Sequence, residues 1–108
     1  MANTFKNATA RNVGASAATV YTTPAATQTT VIGCTVANVT ANNITVTVTL
    51  FDGVNTTNIV KDALVRNGSS LVVIGGDQKL VLQANHQLRV TSSAASSADV
   101  VVSLLEIA

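Results

Sequence analysis

A chain of 108 residues, 47% hydrophobic, 10% charged, 3% aromatic and carrying a formal net charge of +1, is the size of one domain. Charged residues make up about a quarter of an average globular chain, so Thr, Asn and Ser must solvate this surface. The near-neutral balance supplies no electrostatic reason to expect nucleic acid or an anionic membrane as partner. The frequency of Val, Ile and Leu excludes a chain that cannot bury a core.

In chain order, Thr4–Val13 reads as weakly extended and is broken by Gly14. Thr19–Thr22 is a short strand stopped by Pro24, which lacks a backbone donor for the ladder. Thr29–Ala37 is a strand, and Ala41-Asn42-Asn43 connects it to Ile44–Leu50. There apolar residues and Thr alternate strictly, as they do on a strand with one buried and one wet face. Thr suits the wet face because its branched Cβ fits the pleat while its hydroxyl reaches water. Asp52-Gly53 opens a polar loop, and Ile59–Val65 returns as the second arm of a hairpin, too short for a stable helix. Asn67-Gly68 is a tight-turn signal ahead of the strand Leu71–Ile74. Gly75-Gly76-Asp77 turns into Lys79–Gln83, and an Ala84-Asn85-His86 corner leads to Gln87–Thr91. Ser92–Ala98 is a small-residue loop before the last strand, Val100–Ile107. Strands spaced by about 8–12 residues with turns between them predict an all-β fold. We expect a single antiparallel β-sandwich, jelly-roll-like, of about seven or eight strands. Residues 17–108 form the sandwich, and residues 1–16 an N-terminal arm or first strand.

The chemistry-bearing residues do not gather into a catalytic pattern. The single histidine, His86, and the single cysteine, Cys34, lie more than fifty residues apart, which is no zinc or triad set. Cys34 alternates with Ile32 and Val36 and reads as a small buried hydrophobe. Asp52, Asp62, Asp77, Asp99 and Glu106 are scattered, and Asp52-Gly53-Val54-Asn55 lacks the regular spacing of a calcium loop. Gly75-Gly76 lacks the Lys-Ser/Thr of a phosphate loop. The Thr45, Thr47, Thr49 row suggests water ordering of the ice-binding kind, but no repeat extends it. We expect no enzyme activity, no cofactor and no metal. The five Asn-x-Ser/Thr triplets, among them Asn38-Val39-Thr40, read as products of composition. The polar opening Met1–Lys6 reads as no secretion leader, and no apolar run approaches the ~18 residues of a membrane helix.

Two places carry more apolar surface than one core uses. Val100–Val102 and Leu104-Leu105 offer side chains to both faces of the last strand, and Phe51 falls on the Thr side of its own. Together with Phe5, Lys6 and Arg11 of the opening segment, Phe51, Val101 and Leu105 are the candidate interface residues. A subunit interface and an ordinary central strand with a shielded Phe both fit this pattern. Self-association would run through the last strand or through the opening arm.

The order of features in Gly33–Thr40, Ile44–Leu50, Val65–Leu71, Lys79–Gln83, Leu88–Ser93 and Ser103–Ile107 resembles small all-β virion proteins of tailed bacteriophages. The resemblance covers roughly residues 17–108. It implies a structural role without catalytic residues: a capsid decoration or cement protein on the outside of the shell. The alternatives are a neck, tail or baseplate accessory protein and, from another class, a glycan-binding β-sandwich module. The implied partners are copies of the chain itself and major capsid or other virion proteins. The implied place is the virion, after synthesis in the host cytoplasm.

Overall fold

The computed structural model describes residues 3–108, so residues 1 and 2 of the opening segment lie outside the described residues. Among the described residues nine strands run in chain order: β1 (Asn3–Val13), β2 (Ala18–Thr22), β3 (Gln28–Asn38), β4 (Ile44–Phe51), β5 (Thr56–Val65), β6 (Ser70–Ile74), β7 (Leu80–Leu82), β8 (Gln87–Ser92) and β9 (Ala98–Ile107). They form two antiparallel sheets, one ordered β1-β9-β3-β6 with β7 also on β3, the other β2-β8-β4-β5. Every connection except β4 to β5 and β6 to β7 crosses from one sheet to the other. This is the strand order of a jelly-roll sandwich.

The strand count exceeds the expected seven or eight because the opening segment forms a strand of its own beside the eight read in residues 17–108; two of those eight share one edge position. β6 covers Cys34–Ala37 of β3, and β7 covers Thr29–Val31 of the same strand. The Gly75-Gly76 turn between them places Gly76 at φ 61°, a conformation that costs glycine little. The opening segment is a full-length strand, paired with β9 from Asn3↔Ile107 to Ala10↔Val100 without a shift. β4 and β5 form the expected hairpin. The Asn67-Gly68 turn, closed by Ser69 N–H donating to the Arg66 carbonyl at 3.0 Å, instead carries the chain between sheets.

The alternating pattern of β4 buries Ile44, Val46 and Val48 and turns the intervening Thr residues outward. The same period buries Val100, Val102 and Leu104 of β9 and Leu88 and Val90 of β8. Cys34 lies in this core opposite Val102 and Ile74, and burial pushes its thiol pKa up to about 11. A thiol held protonated in apolar surroundings is a poor nucleophile. The core contains no Trp or Phe and is built from Val, Leu and Ile, so stability rests on many medium-sized burials.

One buried polar side chain ties both sheets. Asn38 at the end of β3 donates from Nδ2 to the carbonyls of Asn42 (2.7 Å) and Val65 (3.0 Å). Its Oδ1 accepts from Thr40 N–H (2.9 Å) and from the Thr40 hydroxyl (2.8 Å). The first of the Asn-x-Thr side chains in this region is therefore committed to structure. Asn38→Ala is expected to cost about 1–3 kcal/mol because it strands the Val65 carbonyl in the interior. Chemical denaturation checks this, with an unchanged midpoint as the contrary result.

Candidate interaction surface

The outer faces of the two sheets differ in chemistry. On the β1-β9-β3-β6 sheet the register aligns two cross-strand rows. One runs Phe5, Leu105, Thr30, Val81 and the other Thr9, Val101, Thr35, Val72. Phe5 (75% exposed), Val72 (63%), Val81 (58%) and Val101 (51%) lie in these rows, four of the seven large apolar side chains most open to solvent among the described residues. Asn7, Ser103 and Gly33 fill the line between them. Beside that line lies a shallow depression of about 350 Å³ bordered by Phe5, Asn7, Ile32 and Ser103. Charged residues border this face at three places: Arg11 and Asp99 at one end, where Asp99 accepts from the backbone N–H of Asn12 at 3.0 Å, Asp77 and Lys79 in the exposed β6–β7 turn, and Lys6 beside the depression.

The opposite sheet presents Thr45, Thr47, Thr91, Arg89 and the exposed pair Lys61–Asp62 (3.8 Å). Thr47 is bonded to Asp62, accepting from its N–H at 3.0 Å, and Thr49 is nearly buried. One member of the Thr row is thus held by Asp62 and another is withdrawn from solvent, so the row does not stand as a free array. Phe51 shares this face and lies half-buried with the Arg89 guanidinium 4.0 Å above its ring. A cation over an aromatic face is held by the ring quadrupole, and here it also covers the ring.

The six residues marked in the sequence thus divide three ways. Phe5, Arg11, Val101 and Leu105 come together on the apolar face, Phe51 lies on the far sheet, and Lys6 points off the other side of β1. Lys6 pairs with Glu106 at 3.1 Å. The Tyr21 hydroxyl crosses from the second sheet to donate to Glu106 and also meets the Thr29 hydroxyl at 2.9 Å. Val72 and Val81 belong to the same face but were not marked in the sequence. Leu71–Ile74 and Leu80–Leu82 are unbroken apolar runs that mark no outer residue by themselves; the outward positions appear only once β6 and β7 are known to share β3 as neighbour.

The Tyr21–Glu106–Lys6 cluster gives stability a pH dependence. The Tyr21 hydroxyl, then Lys6, hold the Glu106 carboxyl below its ordinary range. Burial first, then the bond to Glu106, raises the Tyr21 phenol above its own. A depressed carboxylate contributes stability that is present above the unfolded value, about pH 4.3, and lost as the pH falls through the folded value. A raised phenol contributes stability that is present below about pH 10 and lost above it. Tyr21→Phe is therefore expected to lower the denaturation midpoint most at neutral pH, the gap to the unaltered protein narrowing at both extremes. A gap constant from pH 3 to pH 10.5 would contradict this assignment.

Other hollows and loops offer less chemistry. An open hollow of about 540 Å³ near Ala26, Gln28, Gln83 and Ile107 is lined by no titratable side chain. The Asp52 carboxylate accepts from Asn55 N–H (2.7 Å) and Val54 N–H (2.9 Å), bonds that hold it below its ordinary pKa and close its own loop. Among the described residues no three His, Cys, Asp or Glu side chains gather as a metal-binding group.

No protein-family model matches the sequence, and no curated protein does. Solved structures do share the fold. A chain from Bacillus endospore appendages, a family of disulfide-linked pili, aligns with TM-score 0.57 at 16% identity, over 96% of this chain and 86% of its own. A chain of infectious bursal disease virus strain Gx aligns with TM-score 0.51 at 12% identity, over 98% of this chain and 37% of that one. A pentameric capsid protein from metagenomic phage sequences aligns with TM-score 0.43 at 18% identity, over 94% of this chain and 59% of that one. The first two are proteins of a pilus and of a virus, and at these identities their likeness to this chain is one of fold.

Proposed function

We propose that this chain is a non-enzymatic structural subunit of a phage virion, a decoration or cement protein. It docks on the outside of a shell through the outer face of its β1-β9-β3-β6 sheet. The observation that carries the reading is the sidedness of the sandwich: the two outer rows of one sheet hold Phe5, Val72, Val81 and Val101 among Thr residues with no charge in either row, while the other sheet presents Lys61, Asp62 and Arg89. Four strands at about 4.8 Å spacing and ten residues at about 3.4 Å rise make a face of roughly 650 Å². That whole face, part of it polar through Thr9, Thr30, Thr35, Asn7 and Ser103, falls short of the roughly 800 Å² per partner of a standard interface. One such contact is weak, and repetition over a lattice of equivalent sites raises its effective affinity. The Thr-rich opposite sheet then faces water.

A neck, tail or baseplate position uses the same face and differs only in which virion protein is met. A glycan-binding module is less well supported, because Tyr21 is bonded to Glu106 and Phe51 lies beneath Arg89. Neither ring is free to stack on a sugar. Disulfide linkage, named for the spore-appendage pili, has no counterpart in a chain whose one cysteine is buried. The test is co-expression with the genes encoded beside it, followed by density-gradient sedimentation. The subunit is expected to travel with assembled particles. A subunit that stays at the top of the gradient while particles form would overturn the proposal.

A further inference from the structure

The sandwich has four edge positions, and three of them are blunted in ways that discourage strand addition. β2 is five residues long, has a register shift between Thr19 and Tyr21 and is followed by Pro24. β5 has two register shifts against β4 and carries Lys61 and Asp62, with Asp62 at φ 51°. The edge filled by β6 and β7 is split by a turn. β1 differs. It spans eleven residues, pairs in register from Asn3 to Ala10, and no strand among the described residues adds to its outer side. The Lys6 charge, which would guard such an edge, stays exposed but is paired with Glu106 at 3.1 Å.

We propose that this edge pairs with the β1 edge of a second copy, antiparallel, about a two-fold axis through Asn7. The occupant is another copy because the strand is self-complementary. Side chains alternate between faces, so two β1 strands keep their outer residues on one side only when the paired residue numbers sum to an even value. Two even sums pair seven residues of the regular stretch Asn3–Ala10: one sets Lys6 against Lys6, and the other, free of that repulsion, sets Asn7 against Asn7, Phe5 against Thr9 and Lys6 against Ala8. No like charges meet, and the apolar row of one copy runs into that of the other: Val72, Thr35, Val101, Thr9, then Phe5, Leu105, Thr30, Val81 of the second copy. A two-fold contact of this kind closes on itself, so it yields a dimer and not a filament. The edge is a different surface from the docking face, and the dimer stands whether or not the chain belongs to a virion.

Sedimentation of the purified protein and mild oxidation of single-cysteine additions test this. The native chain is expected to be a dimer at micromolar concentration. Asn7→Lys sets two like charges opposite each other and is expected to weaken the dimer roughly tenfold, with an unchanged far-ultraviolet spectrum. Asn7→Cys is expected to form a covalent dimer on oxidation, since directly opposed Cα atoms lie within about 4.5–5.5 Å. Arg11→Cys, eight residues out of register with its own copy, is expected not to. Val101→Asp, on the sheet face, is expected to remain dimeric. A native monomer, equal cross-linking of Asn7→Cys and Arg11→Cys, or a dimer broken by Val101→Asp but not by Asn7→Lys would each overturn the proposal. If Asn7→Lys fails to fold, the cross-linking pair decides alone.

Discussion

Leu104→Ala is expected to cost about 2–5 kcal/mol, while the same change at the next residue, Leu105→Ala, costs less than about 1 kcal/mol. Leu104 is 1% exposed, sits opposite Val31 in a strand flanked on both sides, and leaves a cavity when truncated. Leu105 is half-buried on the outer face beside Phe5 and Thr30, where water fills the space it vacates. A domain of this size is stable by about 5–15 kcal/mol, so the first change removes a large fraction of the total and the second does not. Urea denaturation measures both, with similar slopes expected because the surface exposed on unfolding hardly changes. Equal losses at the two positions would mean that the last strand is buried on both faces within the single chain.

Val101→Asp tests the docking face where its effect is greatest. The side chain is half-exposed in the isolated subunit, so folding stability is expected to change by less than about 0.5 kcal/mol. A carboxylate at the centre of a contact that excludes water has no partner there. Its burial is expected to weaken each contact by about 2–5 kcal/mol, roughly 30-fold to several thousand-fold in affinity. Leu64→Asp is the matched control, an equally exposed apolar residue that the Thr45 pairing places on the opposite sheet. Particle-binding assays should show loss for Val101→Asp and none for Leu64→Asp. The reverse order would assign docking to the polar sheet.

Much of the architecture is legible in the sequence because a period of two is a local property. Ile44–Leu50 announces both its fold and its orientation, and the alternation of Cys34 with Val36 predicts the buried thiol, whereas Ile32, expected on the same face, leaves the core because a register shift between Val31 and Gly33 puts Val31 there instead. What local pattern cannot convey is which strands become neighbours. The apolar face consists of residues from β1, β9, β3, β6 and β7, elements scattered along the whole chain, so Val72 and Val81 acquire meaning only from the register. Phe51 and Lys6 show the same limit in reverse. Each looks available in the sequence, and each is engaged by a residue far away, Arg89 in one case and Glu106 in the other. The opening segment reads as weakly extended because Thr, Asn and Ala have modest strand preference; its strand is held by nine register pairs with β9.

β9, last in the described chain, is the inner partner of both β1 and β3. During synthesis on the ribosome the first sheet must therefore wait, with β1 unpaired and one side of β3 open, until β9, some ninety residues after β1, has emerged. Closure by distant partners makes for slow folding and a long interval of exposed edges. Cys34 lies opposite Val102 of that closing strand, so the disappearance of thiol reactivity during refolding would time the moment at which the sheet is sealed.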